Sequence, residues 1–229
     1  MKLWGSIAAL LLGVCSLHAA DISGQIIIKR KLTKRAVTVS SSTYHRGVTV
    51  PSASDTATDP LDYERSRVVI YLEGDLGTQP ATAAIEQKGR RFLPDTVVIP
   101  VGSTVTFPNL DPIFHNVFSL SKPKSFDLGN YPQNSTRSVT FSKPGIVQVH
   151  CHLHPNMAAS IVVTPNQWST KASPSGEFSI KGIPPGTHTI VAWHKSAGFF
   201  RKTIRISAGD MPQVDFHIPL EAEAVAQAR

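Results

Sequence analysis

The chain has 229 residues, a formal net charge of +7, 41% hydrophobic residues and 17% charged residues. That length suits one large domain or two small ones. The composition is too apolar for a disordered chain, and no apolar runs are long enough for a multi-spanning membrane protein. Two cysteines cannot staple a disulfide framework. Fifteen glycines and seventeen prolines favour turns and short strands over long helices.

Residues 1–20 read as a secretory signal peptide. Lys2 precedes the apolar run from Ile7 to Val14, and small residues follow to Ala19-Ala20. The apolar stretch is too short to span a bilayer. Cys15 follows Val14 rather than a small residue, which disfavours a lipid anchor. The expectation is cleavage after Ala20 and export to the periplasm, with no membrane span left. Cleavage leaves Cys151 as the single cysteine in an oxidising compartment. A lone thiol there is a buried bystander, a reactive group or a metal ligand.

The mature chain reads as all-β. Strands are expected at Gln25–Ile28, Val68–Leu72, Thr96–Ile99, Thr104–Phe107, Ser138–Phe141, Ile146–Cys151 and Ser160–Val163. They continue at Glu177–Ile180, His188–Trp193, Lys202–Ile206 and Val214–Ile218. Gly and Pro punctuate these runs, as in β-sandwiches. The stretch from Val37 to Pro60 reads as a long loop, and the only helical hint is the tail 221–229. The basic run Lys29, Arg30, Lys31, Lys34 and Arg35 reads as a solvated strand end, with docking of an acidic partner as the sharper alternative. No aromatic interleaving supports nucleic-acid binding.

The chemistry concentrates in Val149-His150-Cys151-His152-Leu153-His154-Pro155-Asn156-Met157. Strand alternation puts Val147, Val149 and Cys151 on one face and Gln148 and His150 on the other. His154 and Met157 follow at three-residue steps in a Pro-Asn turn. A further histidine, His115, lies upstream in Phe114-His115-Asn116-Val117-Phe118. A thiolate, two imidazoles and a thioether form the donor set of a blue-copper electron-transfer site. Zinc could use the same Cys and His residues, but Met is a poor zinc ligand and closed zinc sites use four Cys/His donors.

Cys-x2-His-Pro-x-Met resembles the ligand loop of cupredoxins, and of the amicyanin-like members closely. Phe107-Pro108-Asn109, Asp111 and His115-Asn116 resemble the segment that brings the first histidine. The resemblance spans roughly Ala84 to Thr164. It implies copper ligands at His115, Cys151 and His154, an axial Met157, and Asn116 as the residue tying the two ligand loops together. His150 and His152 flank Cys151, as in multicopper oxidases, but the further His-x-His pairs of a copper cluster are missing. Strand parity makes both surface residues.

Ser175 to Ile180, Gly182-Ile183-Pro184-Pro185-Gly186 and Thr189 to His194 resemble carboxypeptidase regulatory-like, transthyretin-like β-sandwiches. The early segments Ile22–Ile26 and Val68–Leu72 resemble the first strands of such domains. The combination is similar to bacterial methylamine utilization proteins. His188, His194 and His217 read as structural or surface residues.

The expected organisation is a signal peptide at 1–20 and early strands with a long loop at 21–79. A Greek-key cupredoxin domain at 80–165 follows. A regulatory-like sandwich at 166–220, sharing the early strands, and a tail at 221–229 complete it. Ile22–Ile28 and Val68–Leu72 are expected to pair with strands beyond Trp168, because neither terminal portion alone supplies a full set of strands. The expected function is a mononuclear copper protein, with one copper per chain, carrying single electrons to or from a redox protein such as a cytochrome or a periplasmic dehydrogenase. Copper resistance, storage or delivery is the alternative, followed by a noncatalytic interaction module. An enzyme is disfavoured, since no Ser/His/Asp set, phosphate loop or second metal cluster is visible.

Overall fold

A computed structural model describes residues 19–32 and 59–219. Nearly all of the expected signal peptide, most of the long loop, Lys34, Arg35 and the expected helical tail lie outside the described residues.

The first half contains β1 (Ala20–Ile28), α1 (Pro60–Arg65), β2 (Val69–Leu72), β3 (Thr82–Ala84), β4 (Glu86–Gln87), β5 (Phe92–Leu93), β6 (Thr96–Pro100), β7 (Thr104–Pro108) and β8 (His115–Ser121). The second half contains β9 (Lys124–Tyr131), β10 (Thr136–Thr140), β11 (Gly145–His150), β12 (Ala158–Thr164), β13 (Ser169–Lys171), β14 (Glu177–Ile183), β15 (Gly186–His194), β16 (Gly198–Ile206) and β17 (Phe216–Ile218). Among the described residues the fold is all-β apart from one short helix.

Four sheets stack face to face, and the alternation of side chains along the strands shows how. In β12, Ala159, Ile161 and Val163 enter one core while Val162 enters another. In β2 and the residue before it, Val68, Ile70 and Leu72 face a third core while Val69 and Tyr71 face the middle one. In β15, Ile190 and Ala192 part from Val191 and Trp193 in the same way. A strand buried on both faces reads as a continuous apolar run rather than an alternating one. This is why Val68–Leu72 lacks a polar face.

The sheet β6-β12-β11-β8-β9 therefore has two neighbours. The sheet β10-β7-β3 closes over it on one side, around Phe107, Phe141 and Val149. The sheet β13-β2-β15-β16 packs on the other side, through Trp193, Tyr71 and Val162. The sheet β14-β1-β17 covers the far face of the latter. Polar ties cross the middle layer: Arg67 pairs with Asp95, and Lys171 Nζ donates to the Thr96 carbonyl at 3.1 Å.

Strands from before residue 73 pair with strands from after residue 168. Ile22 lies opposite Ile180, Ile26 opposite Phe216, and Ile70 opposite both Ala192 and Thr170. β1 starts at Ala20, buried and opposite Ile183, one residue ahead of the expected cleavage point. Gly24 is required by close approach, since a Cβ there would collide with the Val214 carbonyl.

The strand expectations need several corrections. β8 and β9 are absent from them: His115-Asn116 stands out as a ligand motif rather than a strand start, and Gly129 interrupts the β9 run as a turn residue would. β13 and the short strands β3, β4 and β5 are absent too, being too brief to show a period. β17 begins at Phe216, two residues later than expected, and Phe141 falls outside β10. The tail reads as the only helical hint, yet α1 forms at Pro60–Arg65. It follows a standard start signal: the Asp59 carboxylate accepts from Leu61 N, and Pro60 opens the first turn.

Candidate metal centre

Two loops at one end of the sheet β6-β12-β11-β8-β9 carry the candidate donors. Residues 109–114 lead into β8, so His115 opens that strand. β11 ends at His150, so Cys151 leaves it, and a tight turn before β12 follows. In that turn Met157 N donates to the His154 carbonyl at 2.9 Å. β8 and β11 are neighbours, with Phe118 opposite His150, and this brings His115 and Cys151 together across a long stretch of sequence.

Three donor atoms converge. His115 Nδ1 and His154 Nδ1 are 3.1 Å apart, and Cys151 Sγ lies 4.0 Å from the first and 3.7 Å from the second. The three donor atoms all lie within 4.8 Å of one another. With zinc-site bond lengths of about 2.0 Å to nitrogen and 2.3 Å to sulfur as the scale, a trigonal set places N and N ~3.5 Å apart and N and S ~3.7 Å apart. The triangle is already the size of a metal coordination plane. His115 is fully buried, Cys151 is 4% exposed and His154 is half-buried.

Neighbouring groups hold each donor in the right form. His115 Nε2 lies 2.8 Å from Asp111 Oδ2. A carboxylate only accepts, so Nε2 carries the ring proton and Nδ1 presents a lone pair to the other two donors. Asp111 in turn accepts from the backbone N–H of Gly89 at 2.6 Å and of Arg90 at 2.8 Å. Partial burial works to raise the Asp111 pKa, but the Arg90 N–H, the His115 ring and the Gly89 N–H outweigh it and hold the carboxyl below its usual range. The His154 ring is made less basic by burial, then by His115 and Arg90, with Asp111 opposing. A weakly protonated imidazole keeps its lone pair available for a cation.

Asn116 joins the two loops. Its backbone N–H points at Cys151 Sγ at 3.5 Å, its Oδ1 accepts from His152 N at 3.4 Å, and its Nδ2 donates to Asp127 Oδ1 at 2.6 Å. Met157 is 1% exposed and packs in the same core as Cys151. Below the site, Gln87 Nε2 donates to Tyr131 Oη, which donates to the Phe107 carbonyl. Burial pushes the Tyr131 phenol up to about 12, so it stays protonated and acts as a strut.

His150 and His152 stand apart from the converging group. His152 stacks on Phe118, with ring centroids 3.7 Å apart, and its Nε2 lies 3.3 Å from Asp127 Oδ2. His150 tilts toward the same Phe118 ring at 5.8 Å and is half-buried. Burial, then Lys195, lowers its basicity. Of the other histidines, His194 is fully buried beside Glu64 at 3.2 Å, and His188 Nε2 lies 2.8 Å from the Pro184 carbonyl. His217 is exposed on β17. The supporting roles of Gln87, Tyr131 and Asp127 carry no signal in the sequence. Asp111 is visible within the resemblance, but the residues clamping it lie some twenty positions upstream.

Residues 152–214 match the family model described as polysaccharide lyase family 4, domain II. No curated protein matches. Among solved structures, the chain is similar to a copper-containing nitrite reductase from Thermus scotoductus SA-01, at 27% identity and a TM-score of 0.35, over 40% of this chain and 24% of that one. It thus spans about a quarter of the reductase's length. A purple cupredoxin from Nitrosopumilus maritimus matches at 24% identity and a TM-score of 0.33, over 36% of this chain and 99% of the cupredoxin. A methionine-to-alanine mutant of amicyanin in its Cu(I) form matches at 19% identity and a TM-score of 0.34, over 42% of this chain and 98% of the amicyanin. These matches cover part of the chain, and what the site can do is carried by its own geometry.

Proposed function

We propose that the chain binds one copper ion through His115 Nδ1, Cys151 Sγ and His154 Nδ1, with Met157 as a weak axial donor, and carries single electrons between redox partners. The observation behind this reading is the triangle of two imidazole nitrogens and one thiol, two of its three residues buried, spanning 3.1 to 4.0 Å, with the His115 tautomer fixed by Asp111. A donor set of two imidazoles, a thiolate and a thioether would suit copper better than zinc. When bound, copper supplies a one-electron couple in a donor set acceptable to both oxidation states.

The chain's residues make that couple usable. Asp111 holds His115 and the Asn116 N–H holds Cys151, so these donors would have little room to move when the charge changes. The core around Val149, Phe107 and Met157 excludes water from the thiolate. His154 is the most exposed of the three donors and offers a short path to a docked protein. Exposed Leu110, Ile113, Phe114 and Leu153 lie on the same two loops. We read residues 80–165 as the copper-binding unit, set into a second sandwich built from 21–79 and 166–220. We take 1–20 as an export signal that places the protein in the periplasm, with a cytochrome or dehydrogenase as partner. The reading is of a carrier rather than an enzyme.

Potentiometric titration of the copper-loaded protein tests this. A carrier takes up one electron per chain reversibly and keeps its copper through repeated cycles. Release of the metal on reduction would make it a copper-delivery protein instead.

A further inference from the structure

The turn between β4 and β5 has the sequence Lys88-Gly89-Arg90-Arg91. Lys88 N donates to the Arg91 carbonyl at 3.0 Å, closing the turn, and Arg90 adopts a φ of +55°. All four residues are exposed. The side chains of Lys88, Arg90 and Arg91 form no hydrogen bond or ion pair among the described residues. Three unpaired cations on one tight turn repel one another, so the arrangement does not arise from stability alone.

The turn is built onto the candidate metal centre. Its backbone N–H groups at Gly89 and Arg90 hold Asp111, which holds His115. Leu110 N donates to the Gln87 carbonyl at 2.9 Å, so the loop bearing exposed Leu110, Ile113 and Phe114 is stitched to the base of the turn. Arg90 acts electrostatically on the half-buried His154 ring. Exposed apolar side chains thus lie on the loops that carry the donors, and the cationic turn is hydrogen-bonded to one of those loops. Glu86 is the one exposed carboxylate in this hairpin.

We propose that the Lys88–Arg91 turn, with the apolar loop beside it, is the docking surface for an acidic one-electron carrier protein. The proposal rests on the electron-carrier reading. The occupant follows from charge complementarity: a carboxylate-rich surface with an apolar centre satisfies the three free cations and covers Phe114 and Leu110. Exchange then moves one electron between the bound metal and the partner's redox centre. One is oxidised and the other reduced, and no bond or proton changes.

The test uses the full chain without metal and hexacyanochromate(III), a redox-inert paramagnetic trianion, as the probe. Amide resonances of residues 88–91, 110–114 and 153–154 are expected to broaden first. In the combined Lys88→Glu, Arg90→Glu and Arg91→Glu variant, the concentration needed for broadening should rise at least about tenfold. Backbone bonds to Asp111 survive these substitutions, so amides in β11 and β12 should keep their positions and report an intact fold. Broadening centred on Lys29–Lys31, or unchanged in the variant, would overturn the proposal. With copper bound, the variant should also be oxidised about tenfold more slowly by hexacyanoferrate(III) at low ionic strength, and an unchanged rate would count against it. The anion map needs no copper, so a missing blue spectrum would sink the carrier reading without touching the map.

Discussion

In the proposed copper site Cys151 would be the one thiolate donor, beside the imidazoles of His115 and His154. Cys151→Ser should therefore abolish the intense visible absorption of the Cu(II)-loaded protein. Met157→Leu should keep the copper and raise the reduction potential, because it removes a donor that favours Cu(II). Asp111→Asn keeps the size of the side chain but gives up a charged acceptor. It should weaken copper binding by about 10–100-fold, measured by competition with a chelator, and shift the potential upward. Asn116→Ala should reduce site integrity without removing a ligand. His150→Ala and His152→Ala should leave the spectrum nearly unchanged, because both rings lean on Phe118 rather than toward the donors. Loss of the absorption in either variant would mean that the wrong side chains have been given to copper.

At the scale of elements, each inner strand serves two cores at once. Trp193 sits 4% exposed in the layer between the two central sheets, with Tyr71, Val162 and Val191. Trp193→Ala should cost ~3–5 kcal/mol in denaturant unfolding, the usual range for a large buried aromatic. The Cu(II) spectrum of the folded variant should not change, since the cavity lies on the face of β12 away from Cys151. A spectral change would show that the middle layer positions the metal loops. Much of this level was legible in the sequence. Val147, Val149 and Cys151 alternate with Gln148, so the inward face of β11 could be read directly. β8 could not, because His115-Asn116 looks like the end of a loop until β9 is known to pair with it. α1 was hidden in a Pro- and Asp-containing stretch whose cap becomes meaningful only once Glu64 is seen buried against β15.

Across the whole molecule, the stacking of sheets also buries ionisable groups outside the candidate donor set. His194 and Glu64 are both fully buried and 3.2 Å apart. Ser196 N donates to His194 Nδ1 at 3.2 Å, which leaves Nε2 to face the carboxylate. Burial lowers the His194 pKa below 6.5, and Arg67 adds to this, while Glu64 opposes it. A histidine with a depressed pKa takes up its proton more readily in the unfolded chain. Stability is then present above pH 6.5 and falls as pH drops below it. Metal-free protein should unfold at lower denaturant concentration at about pH 5.5 than at about pH 7.5, and His194→Gln should flatten part of that slope. An unchanged slope would place the acid sensitivity elsewhere. The order of the layers was only partly legible. Apolar runs such as Val68–Leu72 announce burial on both faces but not which sheets cover them. Likewise, Cys-x2-His-Pro-x-Met points to a candidate metal loop but not to the Gly89 and Arg90 backbone that holds Asp111 against the distant histidine.

The most direct test of the central claim is the visible and electron paramagnetic resonance spectrum of purified protein loaded with one equivalent of Cu(II), beside that of Cys151→Ser. The account predicts an intense sulfur-to-copper absorption with narrow copper hyperfine splitting, both lost in the variant. A colourless protein with the broad splitting of ordinary nitrogen- and oxygen-bound Cu(II), identical in the variant, would contradict it.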